Sequence, residues 1–308
     1  MKQQNAGERV VKKGLFIMAG LIAMAMSMQQ AVFAADGDWA VKTDLQGLYG
    51  NYSGSLLRSS LSSGGLILSA DYLDKGGFSL AANYARLAFK TGNSINQQGY
   101  FANARYKLYL DALPGPLTLM LNGHFINNND VTGNTDNVKV AAPQISFLNY
   151  AKTFYVDVGY AHSIYQNNLN VDQFTPTIGF GLNQGSDWFQ VRGWFIKPSN
   201  RLRAQNKSST SAVDVKWTHW FAPGSWHHLE KMQLGGLFGE RIYAVDNDAA
   251  AVYNLADIQR GSLSLALQWR ITESLHLMLM GGNERYLNNT ISNSYNNRFG
   301  YLDISKSW

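Results

Sequence analysis

From Trp39 onward the chain alternates between apolar and polar residues. Trp39, Val41, Thr43, Leu45, Gly47 and Tyr49 fall on one side of an extended chain, and Ala40, Lys42, Asp44 and Gln46 on the other. A period of two is the mark of a strand, whose successive side chains point to opposite faces. The same pattern returns in Tyr100–Leu110, where Arg105 and Lys107 share the polar face, and in Leu117–Phe125, Phe154–Tyr160 and Leu263–Trp269. Weaker segments are Leu66–Leu73, Phe78–Phe89, Lys139–Leu148, Phe174–Asn183, Trp188–Ile196, Ala212–Phe221, Gln233–Val245, Leu275–Tyr286 and Arg298–Trp308. Arg86 breaks phase in one of them, and Glu240-Arg241 marks a bulge or a rim in another. Together they predict about 14 strands, within a range of roughly 12–16.

The connections alternate in length. Residues 74–77, 111–116, 149–153, 184–187 and 271–274 are short; 53–65, 91–99, 127–138, 166–173, 198–210, 246–259 and 287–297 are longer and polar. One nominally short connection, 222–231, is long and contains Trp226, His227 and His228. Strands of about a dozen residues exceed the ~5–6 of soluble sheets and approach the ~9–11 that a tilted membrane-crossing strand needs. Hydrocarbon offers no partner to a free sheet edge, so such strands must close on themselves. The predicted fold is all-β: a transmembrane, up-and-down antiparallel β-barrel.

Composition narrows the class. Mean hydropathy is −0.20, 13% of residues are aromatic and 29 are Gly; no long apolar segment follows the N-terminus, which excludes a helical membrane protein. The start of the chain combines Arg9, Lys12 and Lys13 with an apolar run from Leu15 to Met28 and the small-residue site Val32-Phe33-Ala34, the pattern of a secretory signal peptide cleaved after Ala34. The expected organisation is a signal peptide over 1–34 and a single barrel domain over 35–308. Removing the signal lowers 26 basic and 21 acidic residues by four and one, leaving 22 against 20, a balance that argues against a nucleic-acid partner. There is no cysteine, hence no disulfide and no thiolate site.

Aromatic residues gather at both ends of the predicted strands, among them Trp39, Tyr72, Phe78 and Trp269 at one end and Tyr49, Tyr100 and Tyr160 at the other. The last segment places Leu302, Ile304 and Trp308 on one face. In these features the chain resembles Gram-negative outer-membrane β-barrel proteins as an architecture, without pointing to one family. The resemblance implies residence in the cell outer membrane, contact with its lipid and lipopolysaccharide, and recognition of Leu302, Ile304 and Trp308 by the barrel-assembly machinery. A terminal Trp in place of the usual Phe, and Lys306 within the apolar face, depart from that signal.

The face opposite the apolar one lists the expected lumen: Lys42, Asp44, Asp71, Arg105, Lys107, Asp157, Arg192, Asp214, Lys216 and Glu284, with Gln46, Asn103, Asn122, His124, Gln190 and Asp303 between them. Its signs are balanced, which suits a hydrated interior or a lattice of ion pairs more than a strongly ion-selective ring. The leading functional expectation is a passive channel for small hydrophilic solutes. The alternatives are a barrel serving an export or assembly machine for polysaccharide or surface protein, gripped by a periplasmic partner at Trp226, His227 and His228, and a structural barrel filled by its own side chains. Arg201, Arg203 and Lys207 form a basic loop that suits lipopolysaccharide phosphates or an anionic solute, or is simply solvated. No catalytic set is expected. His162 and Ser163 are neighbours on a strand and point apart; Asp246-Asn247-Asp248 reads as a turn; His227-His228 lacks a third ligand at metal-binding spacing. Neither a metal nor a cofactor is expected.

Overall fold

A computed structural model describes residues 38–224, 226–254 and 256–308, and of Trp226 only the backbone. The expected signal peptide lies outside the described residues. The strands are β1 (Trp39–Ser53), β2 (Arg58–Tyr72), β3 (Gly76–Phe89), β4 (Ile95–Leu108), β5 (Leu117–Asn128), β6 (Val138–Leu148), β7 (Phe154–Tyr165), β8 (Leu169–Leu182), β9 (Asp187–Pro198), β10 (Thr210–Trp220), β11 (Leu229–Arg241), a short hairpin of β12 (Val245–Asp246) and β13 (Ala251–Val252), β14 (Ile258–Arg270), β15 (Leu275–Asn288) and β16 (Asn293–Ser307). All but the hairpin form one closed antiparallel barrel of 14 strands in which every strand pairs with its sequence neighbours, and β1 closes on β16. Among the described residues no helix is long and apolar enough to cross a membrane.

Closure runs from Lys42 opposite Ser307 to Ser53 opposite Asn296. Leu302 and Ile304 face Gly47 and Leu45 across this seam. The Trp308 backbone N–H donates to the Val41 carbonyl at 2.9 Å, and its indole N–H to Thr43 Oγ1 at 3.3 Å. Lys306, out of place in an apolar face, lies 5.2 Å from the Trp308 ring centre and donates to Ser274 Oγ, so its ammonium is held at the rim, clear of hydrocarbon.

Each predicted strand is present, and several are longer than the apolar alternation indicates. β2 begins at Arg58, β4 at Ile95 and β8 at Leu169, all inside segments expected to be loops. These additions lie at the end bearing the long connections, where polar residues such as Ser60, Ser62, Asn96, Gln98 and Asn170 replace the lipid-facing apolar ones.

β11 shows the opposite correction. Its pairing with β14 shifts between Phe238 and Arg241, at the suspected Glu240-Arg241 position. Gly239 sits there at φ +108°, and a Cβ on it would lie 2.6 Å from the Ser211 carbonyl, so the bulge requires glycine. Beyond it, Ile242–Ala244 leaves the wall where the sequence pattern continued the strand to Val245. Four successive apolar residues, Ile242, Tyr243, Ala244 and Val245, are each no more than 3% exposed. They turn into the barrel and pack on the inner wall against Ile126, Val138, Val140, Ala161, Tyr165, Leu169, Val171, Trp194, Ile196, Ala212 and Leu237. The hydrophobic core therefore lies inside the half of the barrel that bears the long connections, the end expected to be extracellular with the short turns periplasmic, while the outer apolar belt, with Tyr49, Leu121, Tyr160, Phe195, Leu263 and Leu279 all exposed, faces outward.

Candidate functional site

The inner face follows from register. Asp157 opposes Thr177, Thr177 opposes Arg192 and Arg192 opposes Asp214; directly opposed residues share a face, and these meet the inward loop. Carried around the barrel through the pairings, the same face carries Lys42, Asp44, Asp71, Arg105, Lys107, Lys216 and Glu284. Most are engaged with one another. Lys42 Nζ lies 2.7 Å from Asp44. Arg105 grips Asp71 with Nη2 at 2.7 Å and Nε at 2.9 Å. Glu284 accepts from the Gln259 amide, the Tyr286 hydroxyl and the Asn297 amide. Lys107 pairs with Asp74 at the periplasmic turn, where its hydrogen bond and that of Tyr109 hold the Asp74 carboxyl below the usual carboxylate range. These ion pairs run along the wall, within one strand or between strands two apart, and leave Lys42 and Asp71 half-exposed to the interior.

The feature that periodicity missed is the segment 242–257. Expected from position 246 on to be an extracellular loop, it folds into the lumen. Val245 is clamped by Gln173 of β8, whose amide N–H donates to the Val245 carbonyl at 2.7 Å and whose oxygen accepts from the Val245 N–H at 2.9 Å. Asn247 meets the His124 ring of β5 at 3.1 Å. Arg192 of β9 reaches three carboxylates: Asp248 at 2.8 Å, Asp157 of β7, two strands along the same wall, at 3.7 Å and Asp246 at 3.8 Å, while its Nε donates to Thr177. The C-terminal stem is tied as firmly. Asn254 donates to Gln97 and to the Thr135 carbonyl. Asp257 binds Arg58 at 2.9 Å and accepts from Asn288 and Tyr295. Arg241, 5% exposed, lies over the Tyr253 ring at 4.2 Å and the Trp194 ring at 4.8 Å. Between the stems the tip is half-open: Asp248 and Ala249 are exposed, and Asp246, Asn247, Ala250 and Ala251 half-buried. Beneath the tip lies a polar recess lined by Gln190, Arg192, Asp214, Lys216 and Asp246.

The basic loop is largely consumed by structure. Arg203 donates to the carbonyls of Gln166, Asn167 and Asn134, tying three extracellular loops together. Lys207 pairs with Glu240 at 2.5 Å; Arg201 reaches the Asn206 carbonyl at 3.5 Å. His227 and His228 lie in the periplasmic connection with left-handed backbone, at φ 48° and 60°, and both are exposed. His162 and Ser163 point apart: His162 Nδ1 is 2.8 Å from Asp172 on the outer face, and Ser163 is buried at 1% exposure within. Among the described residues no group of three or more His, Asp or Glu is placed to hold a metal ion.

No family profile matches the sequence, and no curated relative does. Solved outer-membrane barrels resemble the fold. The chain is similar to a bacterial polysaccharide outer membrane secretin, with 9% identity, a TM-score of 0.54, and coverage of 87% of this chain and 98% of that one. It is similar also to Omp33 of Acinetobacter baumannii, at 11% identity, TM-score 0.48 and coverage of 87% and 99%. A third likeness is to the translocator domain of the autotransporter NalP from Neisseria meningitidis, at 8%, TM-score 0.43 and coverage of 97% of each. At these identities the secretin likeness shows a shared fold, and the other two add no argument. Fold and wall together define a closed 14-stranded barrel with a polar inner face and an apolar outer belt, similar in fold to a bacterial outer membrane secretin.

Proposed function

We propose that the protein is an outer-membrane channel for small hydrophilic solutes, shut by segment 242–257 in the conformation described. The observation that carries this reading is the placement of the Asp246–Val252 tip. It crosses the lumen at the level of Arg192, half-buried, between a polar recess lined by charged side chains and the packed extracellular half. A barrel filled for stability alone has no need of a charged interior that stays partly wet; here the Lys42 side chain is 50% exposed and that of Asp71 44%. The stems pack on the apolar core, and the tip is held by polar contacts from Asp246 to Asp248 with Val252 at its end touching that core, so moving the tip leaves most of the core in place. Liposome swelling tests solute passage. Proteoliposomes holding a variant with residues 246–252 replaced by Gly-Ser-Gly should swell faster in small sugars than in trisaccharides. Equal rates for all sizes, or no swelling by a folded variant, oppose the reading.

The export or assembly reading rests on the periplasmic connection, where His227 and His228 are exposed and would meet a periplasmic partner together with Trp226. Replacing residues 222–228 with a four-residue turn should then change surface composition or co-purifying proteins in the producing strain; no change counts against it.

A further inference from the structure

The outer face carries a feature that the channel reading does not use. On three adjacent strands, Arg260 of β14, Arg285 of β15 and Arg298 of β16 stand on the outside at the extracellular end. Arg285 opposes Asn296, and Arg298 opposes Asn283 on one side and Asn51 on the other, so the two arginines are diagonal neighbours on one face. Arg260 is the extra residue of the bulge between Gln259 and Gly261, beside Arg285. Arg285 and Arg298 are exposed, and among the described residues neither has a carboxylate within ion-pair distance. Glu240, the acid that reaches Arg260, is already shared between Lys207 at 2.5 Å and Arg260 at 3.4 Å. The patch thus keeps an excess of positive charge beyond the row of Tyr49, with Arg298 two residues past it, about 7 Å along the strand, and Arg285 four residues past it, about 13 Å, at ~3.3 Å per residue.

A second, independent observation lies directly below. Gly281 and Gly300 are paired on the outer face, flanked by Leu265 and Tyr49, and Gly47 lies one row further toward the periplasm beside Leu302. A Cβ added at Gly47 or Gly300 would touch nothing within 4 Å, and at Gly281 only the Phe299 carbonyl at 3.8 Å. The glycines are therefore the floor of a furrow on the lipid-facing surface, with Tyr49 59% and Leu263 66% exposed as its walls.

We infer that this face is a specific site for the phosphorylated, multiply acylated glycolipid of the outer leaflet, lipopolysaccharide: Arg285 and Arg298, with Arg260, bind its phosphates, and one acyl chain lies along the glycine-floored furrow. Guanidinium groups suit phosphate through paired, charge-assisted hydrogen bonds. An apolar furrow two residues below Arg298 and four below Arg285 matches a headgroup joined to its chains, and a second copy of the barrel docked by this face would oppose arginine to arginine.

The test uses the folded barrel in detergent, with purified lipopolysaccharide as the probe and native mass spectrometry and thermal shift as readouts. Wild type should bind lipopolysaccharide, and R285Q/R298Q should bind it at least tenfold more weakly, since a hydrogen bond to a charged group is worth about 1.5–3 kcal/mol, or roughly tenfold or more. Gly300→Leu fills the furrow without a clash and should also weaken binding, while both variants keep the wild-type heat-modifiable gel shift. Should R285Q/R298Q fail to fold, wild type decides by itself: enzymatically dephosphorylated lipopolysaccharide must bind at least tenfold more weakly than the intact lipid. Equal binding of dephosphorylated lipid, equal binding of phosphatidylglycerol vesicles, unchanged binding by folded R285Q/R298Q, or a dimer that the double variant disrupts would each overturn the inference.

Discussion

Replacing Arg192 by Met should open the barrel without unfolding it. The guanidinium is the hub between wall and tip: it reaches Asp248 at 2.8 Å and Asp246 at 3.8 Å on the tip, and Asp157 at 3.7 Å and Thr177 at 2.9 Å on the wall. Its side chain is 11% exposed, Asp157 1% and Asp246 17%, whereas Asp248 is 50% exposed. Removing one member of a buried ion pair costs about 3–5 kcal/mol. Part of that loss belongs to the wall contacts with Asp157 and Thr177, which persist whether the tip is in or out, and the Asp248 contact is screened by solvent, so its share is at most about 1 kcal/mol. What remains on the closed state is about 2–3 kcal/mol, including the repulsion between Asp157 and the tip carboxylates once no cation separates them. That is roughly a 30- to 150-fold shift in the ratio of closed to open tip. The assay is single-channel recording in planar bilayers, comparing open probability in wild type, R192M and R192K; the Lys variant keeps the charge without the fork and should fall between. A folded R192M barrel with unchanged open probability refutes the assignment of Arg192 as the latch.

Trp194→Ala removes a side chain 1% exposed from the inner core beneath the stem, at a cost of about 3–5 kcal/mol; the temperature at which the barrel loses its compact gel mobility should fall, and an unchanged temperature would show that the inner core does not support the barrel. In the extracellular loop 129–137, burial works to raise the Asp130 carboxyl, but hydrogen bonds from Thr132 and Thr135 outweigh it and hold the group below its ordinary 3.8. A depressed folded value means that the stabilisation is present above the ordinary value and is lost as pH falls through the folded one. Proteolysis in this loop should therefore rise on acidification below the carboxylate range, and Asp130→Asn should remove that pH dependence. Deleting residues 305–308 removes the Trp308 hydrogen bond to Val41 and the last rungs of the β1–β16 seam; outer-membrane fractions should contain less folded barrel, while total synthesis is unchanged.

The strands were legible because lipid on one side and a polar lumen on the other impose strict alternation, as in β1, β4 and β5. Above the membrane that contrast weakens and then reverses. Val138, Val140, Val171 and Ile196 are apolar on the inner face, against the buried loop, while Asn96, Gln98 and Asn170 are polar on the outer one. Rules for lipid-facing strands end the elements too early there. The inner face was readable residue by residue, since parity alone decides it, but pairing across the lumen was not: nothing in the spacing of Arg192 and Asp248 reveals a contact of 2.8 Å. The inward loop left one trace. Ile242-Tyr243-Ala244-Val245 is apolar without alternation, which a wall strand exposed to water on one side does not tolerate, so the run had to be buried on all sides. The outer arginines were visible only as Arg86-like breaks of phase, and their convergence across β14, β15 and β16 needed the register.

Segment 242–257 is proposed to close a conducting barrel. The most direct test is single-channel conductance of the refolded protein in a planar bilayer, before and after residues 246–252 are replaced by Gly-Ser-Gly. Rare or no openings in wild type and stable, weakly ion-selective steps in the variant are the predicted result. A variant that is folded and inserted yet silent, or a wild type already open at the same conductance, would contradict the account.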